Sequence, residues 1–290
     1  MSLSAIYSFT VFAASPSRSR RDSCCFACFL VASRQIDSRE VYQVADKDGA
    51  GAQHIHEYNR LAEVYSEEWY ARAGDESLDA ARIIVDHLRT FIHPQSVLDI
   101  GCGRGDWLKA WHEQGTRVLV GFDGHWNRQE LMVEPSIRFE PIDLNKPFSI
   151  GRRFDLAMTL EVAEHLGTES SVGFVQSMIR ASDLILFSAA YSHQGGQNHL
   201  NEQPHSYWGK LFASHGFAPF DIVRPVFWAD DRLPFWYRQN SFLYARTGSD
   251  PFNRLLTQKV YPMAHVGFMD CIHPALYDAK IEQIERLSGR

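Results

Sequence analysis

The chain has 290 residues, 45% of them hydrophobic, and a formal net charge of −6. A chain of this length can bury one sizeable core, so we expect one main domain with additions. Its apolar runs fall far short of the ~20 residues that a membrane-spanning helix requires, and its mixed, net acidic charge offers no footprint for nucleic acid. We expect neither a membrane nor a nucleic acid as a partner.

Composition divides the chain into a leading segment, a main domain and a tail. Residues 1–21 contain no acid, several serines and three arginines. This partly resembles an organellar transit peptide, and an upstream extension or a weak signal sequence is equally consistent with it. Three cysteines follow without a second Cys/His pair at zinc spacing, so we expect no metal there. We predict a disordered, non-catalytic extension over 1–53, a main domain over 54–246 and a helical tail over 247–290.

Two amphipathic helices are predicted near the start of the main domain. Ala81, Ile84 and Leu88 recur at helical spacing and predict one buried face. Trp107 and Trp111 lie on the inner face of a second helix, which follows a glycine-rich segment. We interpret both tryptophans as core residues rather than as part of a substrate site.

The glycine-rich segment follows an apolar run that ends near Asp99. It reads Gly101-Cys102-Gly103-Arg104-Gly105 and leads into a helical pattern. Glycines at such a turn allow positive φ and close approach of a ligand, while the next helix offers unpaired N–H groups. The third glycine comes one residue too early for a dinucleotide fingerprint, and Asp106 takes its place. Carboxylates here would repel a pyrophosphate but suit an ammonium and a sulfonium, which indicates S-adenosylmethionine.

With these residues the chain resembles motif I of the class I S-adenosylmethionine-dependent methyltransferases. The segments that follow come in the order of that family. Asp123 ends an apolar run about 20 residues after the glycines, where the resemblance makes it the ribose ligand. Asp143 matches the acid that meets the adenine amino group, although an Asp before Leu-Asn is also common turn chemistry. Residues 154–166 resemble the fourth strand and the helix that close the methionine side of the pocket.

The resemblance therefore assigns the cofactor site as a set of acids, loop glycines and their neighbours. These are Asp99, Gly101, Cys102, Gly103, Asp123, Gly124, Asp143, Leu144 and Glu161.

Strands that alternate with helices predict a largely parallel sheet with helices on both faces. The resemblance implies an α/β, Rossmann-like, seven-stranded, mostly parallel sheet with an antiparallel last strand. Residues 241–246 are predicted to be that strand and to form the sheet edge. Residues 56–65 resemble the opening helix of the family, which often folds over the cofactor as a lid.

Reactive side chains lie in two segments that reach the carboxyl edge of the predicted sheet, where open α/β folds bind ligands. One contains Glu164 and His165; the other is the loop 190–203, whose glycines and amides favour close approach of an acceptor. Methyl transfer uses proximity and a base for the acceptor proton. Since imidazole titrates near neutral pH, we expect His165 and His199 to be catalytic. We assign Glu164 to the same catalytic set. The alternative for His165 is a role in orienting the pocket.

A metal site is a second interpretation of the same residues. Glu161, Glu164 and His165 have the i, i+3, i+4 spacing of one helical face, and His199 is a candidate fourth ligand. This is similar to the Glu-x-x-Glu-His site of the small-RNA 2′-O-methyltransferase family, whose metal holds ribose hydroxyls. The chain lacks an evident basic flank for RNA, so our assignment includes no metal.

We therefore predict methyl transfer to a small-molecule or saccharide acceptor, at oxygen rather than nitrogen. Metal-assisted RNA ribose methylation and a catalytically inactive cofactor-binding regulator are the alternatives. Residues 196–208 loosely resemble bacterial methyltransferases of saccharide and natural-product clusters. The aromatic residues of the second half of the domain either line a glycan pocket or fill the core.

The tail carries apolar residues at helical spacing, Tyr277, Ile281, Ile284 and Leu287. They predict an amphipathic helix docked on the domain or on a second subunit, so both a monomer and a homodimer remain open. Cys102 and Cys271 are distant in sequence and indicate no disulfide framework, which suits a reducing, cytoplasmic setting.

Overall fold

A computed structural model of the chain describes residues 67–289, with side chains from Glu76 onward. The extension predicted over 1–53 and the opening helix predicted over 56–65 lie outside the described residues. Among the helices between residues 67 and 289, none has the length and apolarity needed to cross a membrane.

Seven strands form the central element of the described part of the chain. They are β1 (Ser96–Ile100), β2 (Val118–Asp123), β3 (Ile137–Pro141), β4 (Leu156–Leu160), β5 (Leu184–Ser188), β6 (Phe217–Phe220) and β7 (Phe242–Arg246). The helices between residues 67 and 289 are α1 (Glu67–Leu88), α2 (Asp106–Glu113), α3 (Ser171–Ala181), α4 (His205–Ser214), α5 (Arg224–Phe227), α6 (Phe235–Asn240), α7 (Asp250–Thr257) and α8 (Pro274–Leu287).

The strands form one sheet in the order β3-β2-β1-β4-β5-β7-β6. Strands β1 to β5 are parallel, and β7 is antiparallel to both β5 and β6. The predicted seven-stranded, mostly parallel sheet with an antiparallel last strand is confirmed.

The prediction that the last strand forms the sheet edge was wrong. Strand β7 lies between β5 and β6, so β6 is the edge strand at that end of the sheet and β3 is the edge strand at the other. β6 contains Pro219, which has no N–H to donate and is tolerated at an edge. The Pro219 carbonyl accepts a hydrogen bond from the Met263 backbone N–H at 2.8 Å, so the segment after α7 covers part of this edge.

Helices cover both faces of the sheet. Strands β1, β4 and β5 are buried at every position, as expected for parallel strands with two covered faces. One core contains Ile84 and Leu88 of α1 and Trp111 of α2. The other contains Phe174 of α3 and Trp208 of α4. The candidate site therefore lies at the carboxyl ends of strands that are buried along their whole lengths.

The tail forms the predicted helix, α8, but this helix packs on the rest of the chain through a different face. The four residues expected to dock are 37–82% exposed, whereas Leu276 is 4% exposed. Docking of this apolar face on the domain, one of the two predicted alternatives, does not occur among the described residues, because α8 packs through Leu276. Docking on a second subunit stays a prediction. The preceding Met269 is fully buried in the core beside α4.

Candidate functional site

The glycine-rich turn begins where β1 ends. The backbone N–H groups of Gly101 and Cys102 both donate to the Phe122 carbonyl, at 2.7 and 2.9 Å. Gly101 has φ +81°, and a Cβ there would overlap the Val162 side chain. Glycine is required here because any side chain would face both a strained backbone and Val162. The turn is thus held between β2 and the segment after β4.

Asp123, at the end of β2, ties this turn to its own strand. Its two carboxylate oxygens accept hydrogen bonds from the N–H groups of Gly103 and Gly124, each at 2.7 Å. Burial raises the pKa of Asp123 to about 6, against the lowering effect of these hydrogen bonds and of Asn127. Each oxygen has a second lone pair, so the predicted role as ribose ligand is compatible with the geometry.

A second buried acid, Asp99, lies beside the same turn. It is 3% exposed, and burial, followed by the charges of Asp123 and Asp106, raises its pKa well above the usual range. Three carboxylates therefore converge where the sequence predicts a ligand with cationic groups. A positively charged ligand would offset this repulsion, so the residues present fit the predicted S-adenosylmethionine.

The turn after β3 contains the predicted adenine contacts. Asp143 accepts a hydrogen bond from the Asn145 N–H at 3.0 Å and lies 3.2 Å from Lys146 Nζ. Leu144 is 9% exposed and packs in the core. Asp143 therefore makes the turn contacts expected for its alternative role. Its contact with adenine stays a prediction.

Glu161 lies directly after β4 in a left-handed conformation, with φ +56°. Its N–H donates to the Ser188 carbonyl at 3.2 Å and to Ser188 Oγ at 3.0 Å. Both of its carboxylate oxygens lie 3.1 Å from Asn240 Nδ2. A non-glycine residue in this region is uncommon and is held here by its surroundings.

The helix predicted after β4 is replaced by a short 3-10 turn, Ala163–His165. The expectation that Glu161, Glu164 and His165 share one helical face was therefore wrong, because Glu161 leaves β4 in the left-handed region before the turn begins. Glu161 contacts Asn240, while Glu164 and His165 meet His199.

Glu164, His165 and His199 form a compact cluster, and one ligand atom from each lies within 4.8 Å of the others. Glu164 is fully buried, and contacts with the backbone N–H groups of Glu164 and Ala190 only partly oppose the effect of burial on its carboxylate. Burial, followed by the charge of Glu161, raises the pKa of Glu164 well above the usual range. Burial and the neighbouring His199 lower the pKa of His165 to about 4, so its ring is neutral at pH 7.

Both imidazoles are oriented through Nδ1. His165 Nδ1–H donates to the Asn198 carbonyl at 3.3 Å, and His199 Nδ1–H donates to Glu202 Oε1 at 2.7 Å. In the neutral rings this places the lone pair on Nε2. A Cβ at Gly196 would overlap His199 Nε2, so glycine keeps space beside that nitrogen.

The predicted acceptor loop lies against the turn after β4. The N–H groups of Leu200 and Asn201 donate to the Glu164 carbonyl at 2.7 and 3.0 Å. Asn201 Nδ2 donates to Ser171 Oγ at 2.9 Å. The two predicted catalytic segments are therefore adjacent, and the three predicted catalytic residues meet in one cluster.

Aromatic residues in the second half of the domain divide between the two predicted roles. Trp208 and Phe227 are buried in the core, at 1% and 6% exposure. Trp228, Phe235 and Trp236 are partly exposed.

Two residues of the site were not predicted from the sequence. Asn127 donates from its side-chain amide to the Gly103 carbonyl and so helps to hold the glycine-rich turn. Asn240, after β6 and before β7, reaches Glu161 across 79 positions of sequence. Neither residue belongs to a local pattern that predicts such a contact.

The sequence over residues 58–218 matches the family model described as a methyltransferase domain, which covers more than half of the chain. This chain belongs to that family. The methyltransferase is an S-adenosylmethionine-dependent enzyme of class I, and its predicted cofactor and enzyme class are confirmed. No curated protein matches its sequence.

Several solved structures are distantly similar to the methyltransferase. The plantazolicin methyltransferase BpumL is 16% identical, with 67% of this chain and 98% of that chain covered and a TM-score of 0.45. Magnesium protoporphyrin IX methyltransferase from Synechocystis PCC 6803 is 16% identical, with coverages of 70% and 90% and a TM-score of 0.39. Phosphoethanolamine N-methyltransferase 1 from Haemonchus contortus is 15% identical, with coverages of 81% and 55% and a TM-score of 0.45.

Proposed function

We propose that this methyltransferase transfers a methyl group to an oxygen of a small-molecule or saccharide acceptor. The observation that carries the proposal is the oriented imidazole of His199, whose Nδ1–H is held by Glu202 at 2.7 Å. It lies in the loop predicted to bind the acceptor, beside the turn that follows β4.

The cofactor half of the site would be held by the residues around the glycine-rich turn. A bound cation would favour the carboxylate forms of Asp99 and Asp123, which burial disfavours, and Gly101 and Gly103 allow close approach. The bound cofactor supplies an electrophilic methyl group on its sulfonium. The chain then has to bring the acceptor into line and remove its proton.

A hydroxyl is a weak nucleophile and needs its proton removed as the new bond forms, whereas a neutral amine attacks without a base and can lose its proton afterwards. The contact between His199 Nδ1–H and Glu202 orients the ring and places its lone pair on Nε2, which can accept the proton of the acceptor hydroxyl. His199 is therefore our proposed general base. His165, neutral and packed edge-to-face on His199 with ring centroids 4.9 Å apart, orients it. This arrangement favours oxygen as the methylated atom.

The test uses the full-length chain, cofactor with a radiolabelled methyl group, and paired sugars that differ by one hydroxyl or amino group. We expect label on the hydroxyl sugars and a loss of at least 100-fold in rate for His199→Asn. His93→Asn is the matched control, because His93 is exposed and far from the cluster in sequence. Transfer to the amino sugars alone, or full activity of His199→Asn, would contradict the proposal.

Metal-assisted transfer is the second candidate, and the buried carboxylate of Glu164 favours it. Burial and the neighbouring charge of Glu161 disfavour the carboxylate form of Glu164, and a cation beside it would favour that form. Glu164, His165 and His199 would hold a divalent cation, with Asn198 and Glu202 orienting the two rings. The metal would polarise the acceptor hydroxyl. The net charge of −6 gives no support for RNA as that acceptor.

Manganese titration of the chelator-treated full-length chain, followed by electron paramagnetic resonance, tests this second candidate. We expect one bound ion per chain and at least tenfold weaker binding in Glu164→Gln. Glu169→Gln, at an exposed acid of the next turn, is the control. An absence of bound manganese would reject the metal and leave His199 as the proposed base.

A further inference from the structure

Asn240, the last residue of α6, joins two segments of the candidate site that are distant in sequence. It is fully buried. Its Nδ2 lies 3.1 Å from both carboxylate oxygens of Glu161 and 3.1 Å from Gln194 Oε1. Glu161 follows β4, and Gln194 lies in the predicted acceptor loop. One amide group therefore contacts both a residue predicted to bind the cofactor and the loop predicted to bind the acceptor.

The orientation of this amide is determined by its other contacts. Asn240 Oδ1 accepts a hydrogen bond from Gln239 Nε2 at 2.9 Å, and His205 Nε2 lies 3.0 Å from the same oxygen. A rotated amide would place its oxygen against the Glu161 carboxylate and its NH₂ group against the Gln239 donor. Gln239 Oε1 in turn accepts the His273 backbone N–H at 2.6 Å. The segment before α8 thereby supports the amide pair.

Glu161 needs this support for two reasons. Its backbone is in the left-handed region, which costs free energy for any residue with a Cβ. Burial also raises its pKa, and the hydrogen bonds from Ser188 and Asn240 act in the opposite direction, favouring the carboxylate form. Without the Asn240 donor the carboxylate would lose a partner that addresses both of its oxygens.

We propose that Asn240 is a positioning residue. It holds the Glu161 carboxylate at the cofactor pocket and fixes the position of the acceptor loop relative to that carboxylate. The family match ends at residue 218, so the site is completed by a segment that lies beyond it. This proposal rests on the predicted role of Glu161 as a cofactor ligand, and it does not depend on the identity of the acceptor.

A double-mutant cycle on the full-length chain tests the proposal, with the dissociation constant of S-adenosylhomocysteine measured by calorimetry well below the melting temperature. In the wild-type background, Asn240→Asp removes the donor and adds a like charge beside Glu161. We expect binding at least tenfold weaker. In the Glu161→Gln background, the glutamine amide can donate to the introduced carboxylate. We expect the same substitution to weaken binding less than threefold.

The control is Asn253→Asp, at an exposed asparagine of α7 whose side chain bonds to the Gly248 carbonyl. It should leave S-adenosylhomocysteine binding unchanged. A purely structural role of Asn240 would give the same loss of affinity in both backgrounds and would overturn the proposal. Unchanged binding in Asn240→Asp would overturn it too. Neither result bears on the acceptor, because no acceptor takes part in the measurement.

Discussion

At the level of single residues, the cofactor pocket is organised by buried acids whose charges are unfavourable in the ligand-free chain. Asp99 and Asp123 are 3% and 7% exposed, and burial raises the pKa of both. Such groups lower the stability of the ligand-free protein while providing charge for a cationic ligand. Stability and ligand binding should therefore respond in opposite directions when one charge is removed.

Asp99→Asn should raise the melting temperature of the ligand-free protein and weaken S-adenosylhomocysteine binding at least tenfold. The substitution removes a buried charge that repels Asp123 and Asp106 but also removes the partner of a ligand ammonium. Differential scanning calorimetry and isothermal titration measure the two effects. Asp86→Asn, at an exposed acid of α1, should change neither. A variant that is both less stable and unchanged in binding would contradict this account.

Asp123 should make the stability of the ligand-free protein depend on pH. Burial raises its pKa from 3.8 to about 6 on folding, so the folded state binds the proton more tightly. Its contribution to stability is fully present below pH 3.8 and is lost as the pH rises through about 6, by roughly 3 kcal/mol in total. Relative to Asp123→Asn, the wild type should lose roughly 1 to 1.5 kcal/mol between pH 5 and 8 in urea unfolding. A constant difference across this range would show that the buried carboxylate does not titrate there.

At the level of elements, the strand-to-helix turn after β1 depends on crowding as well as on backbone conformation. Gly101 and Gly115 have similar φ values, +81° and +90°. A Cβ at Gly101 would overlap Val162, whereas a Cβ at Gly115 would meet no atom of the described residues within 4 Å. The two positions therefore separate backbone strain from steric overlap.

Gly115→Ala should cost about 1 kcal/mol of unfolding free energy through strain alone and leave S-adenosylhomocysteine binding intact. Gly101→Ala should cost at least 1 kcal/mol more and displace the glycine-rich turn, so that binding is lost. Chemical denaturation and calorimetric titration give both quantities. Adding Val162→Ala to Gly101→Ala should recover part of the stability, and no recovery would argue against overlap with Val162.

The sequence predicts those parts of the site that arise from contiguous residues. Asp99 and the glycines fall in one short segment, and the parallel order of β1 and β2 brings Asp123 beside them. The conformation of Glu161 was not predictable in this way, because it depends on Ser188 and on Asn240, 79 residues away. The same limit explains the position of β7, since pairing between β5, β7 and β6 is determined by contacts along their whole lengths.

At the level of the whole molecule, the C-terminal segment is part of the core rather than an appended tail. Leu255 and Met269 are fully buried, and Leu276 is 4% exposed. Through His273 and Gln239 the same segment contacts the amide pair behind Glu161. The predicted boundary at residue 246 therefore separates residues that pack and bond together.

Met269→Ala should lower the unfolding free energy by about 2–5 kcal/mol, because it removes a fully buried side chain from the core beside α4. The adjacent Phe268 is 72% exposed, and Phe268→Ala should change stability by no more than about 0.5 kcal/mol. Urea unfolding of the two variants makes the comparison. Equal effects would mean that this segment does not pack as described.

Pro219 at the edge strand β6 also affects how copies of the chain can associate. A residue in a strand directs its N–H and its carbonyl to the same side, and the Pro219 carbonyl is directed away from β7 to Met263. The outer side of β6 therefore lacks one donor, and one of its acceptors is already bonded. A second molecule cannot continue the ladder past this point, so β6 is protected against the intermolecular strand pairing that leads to aggregation.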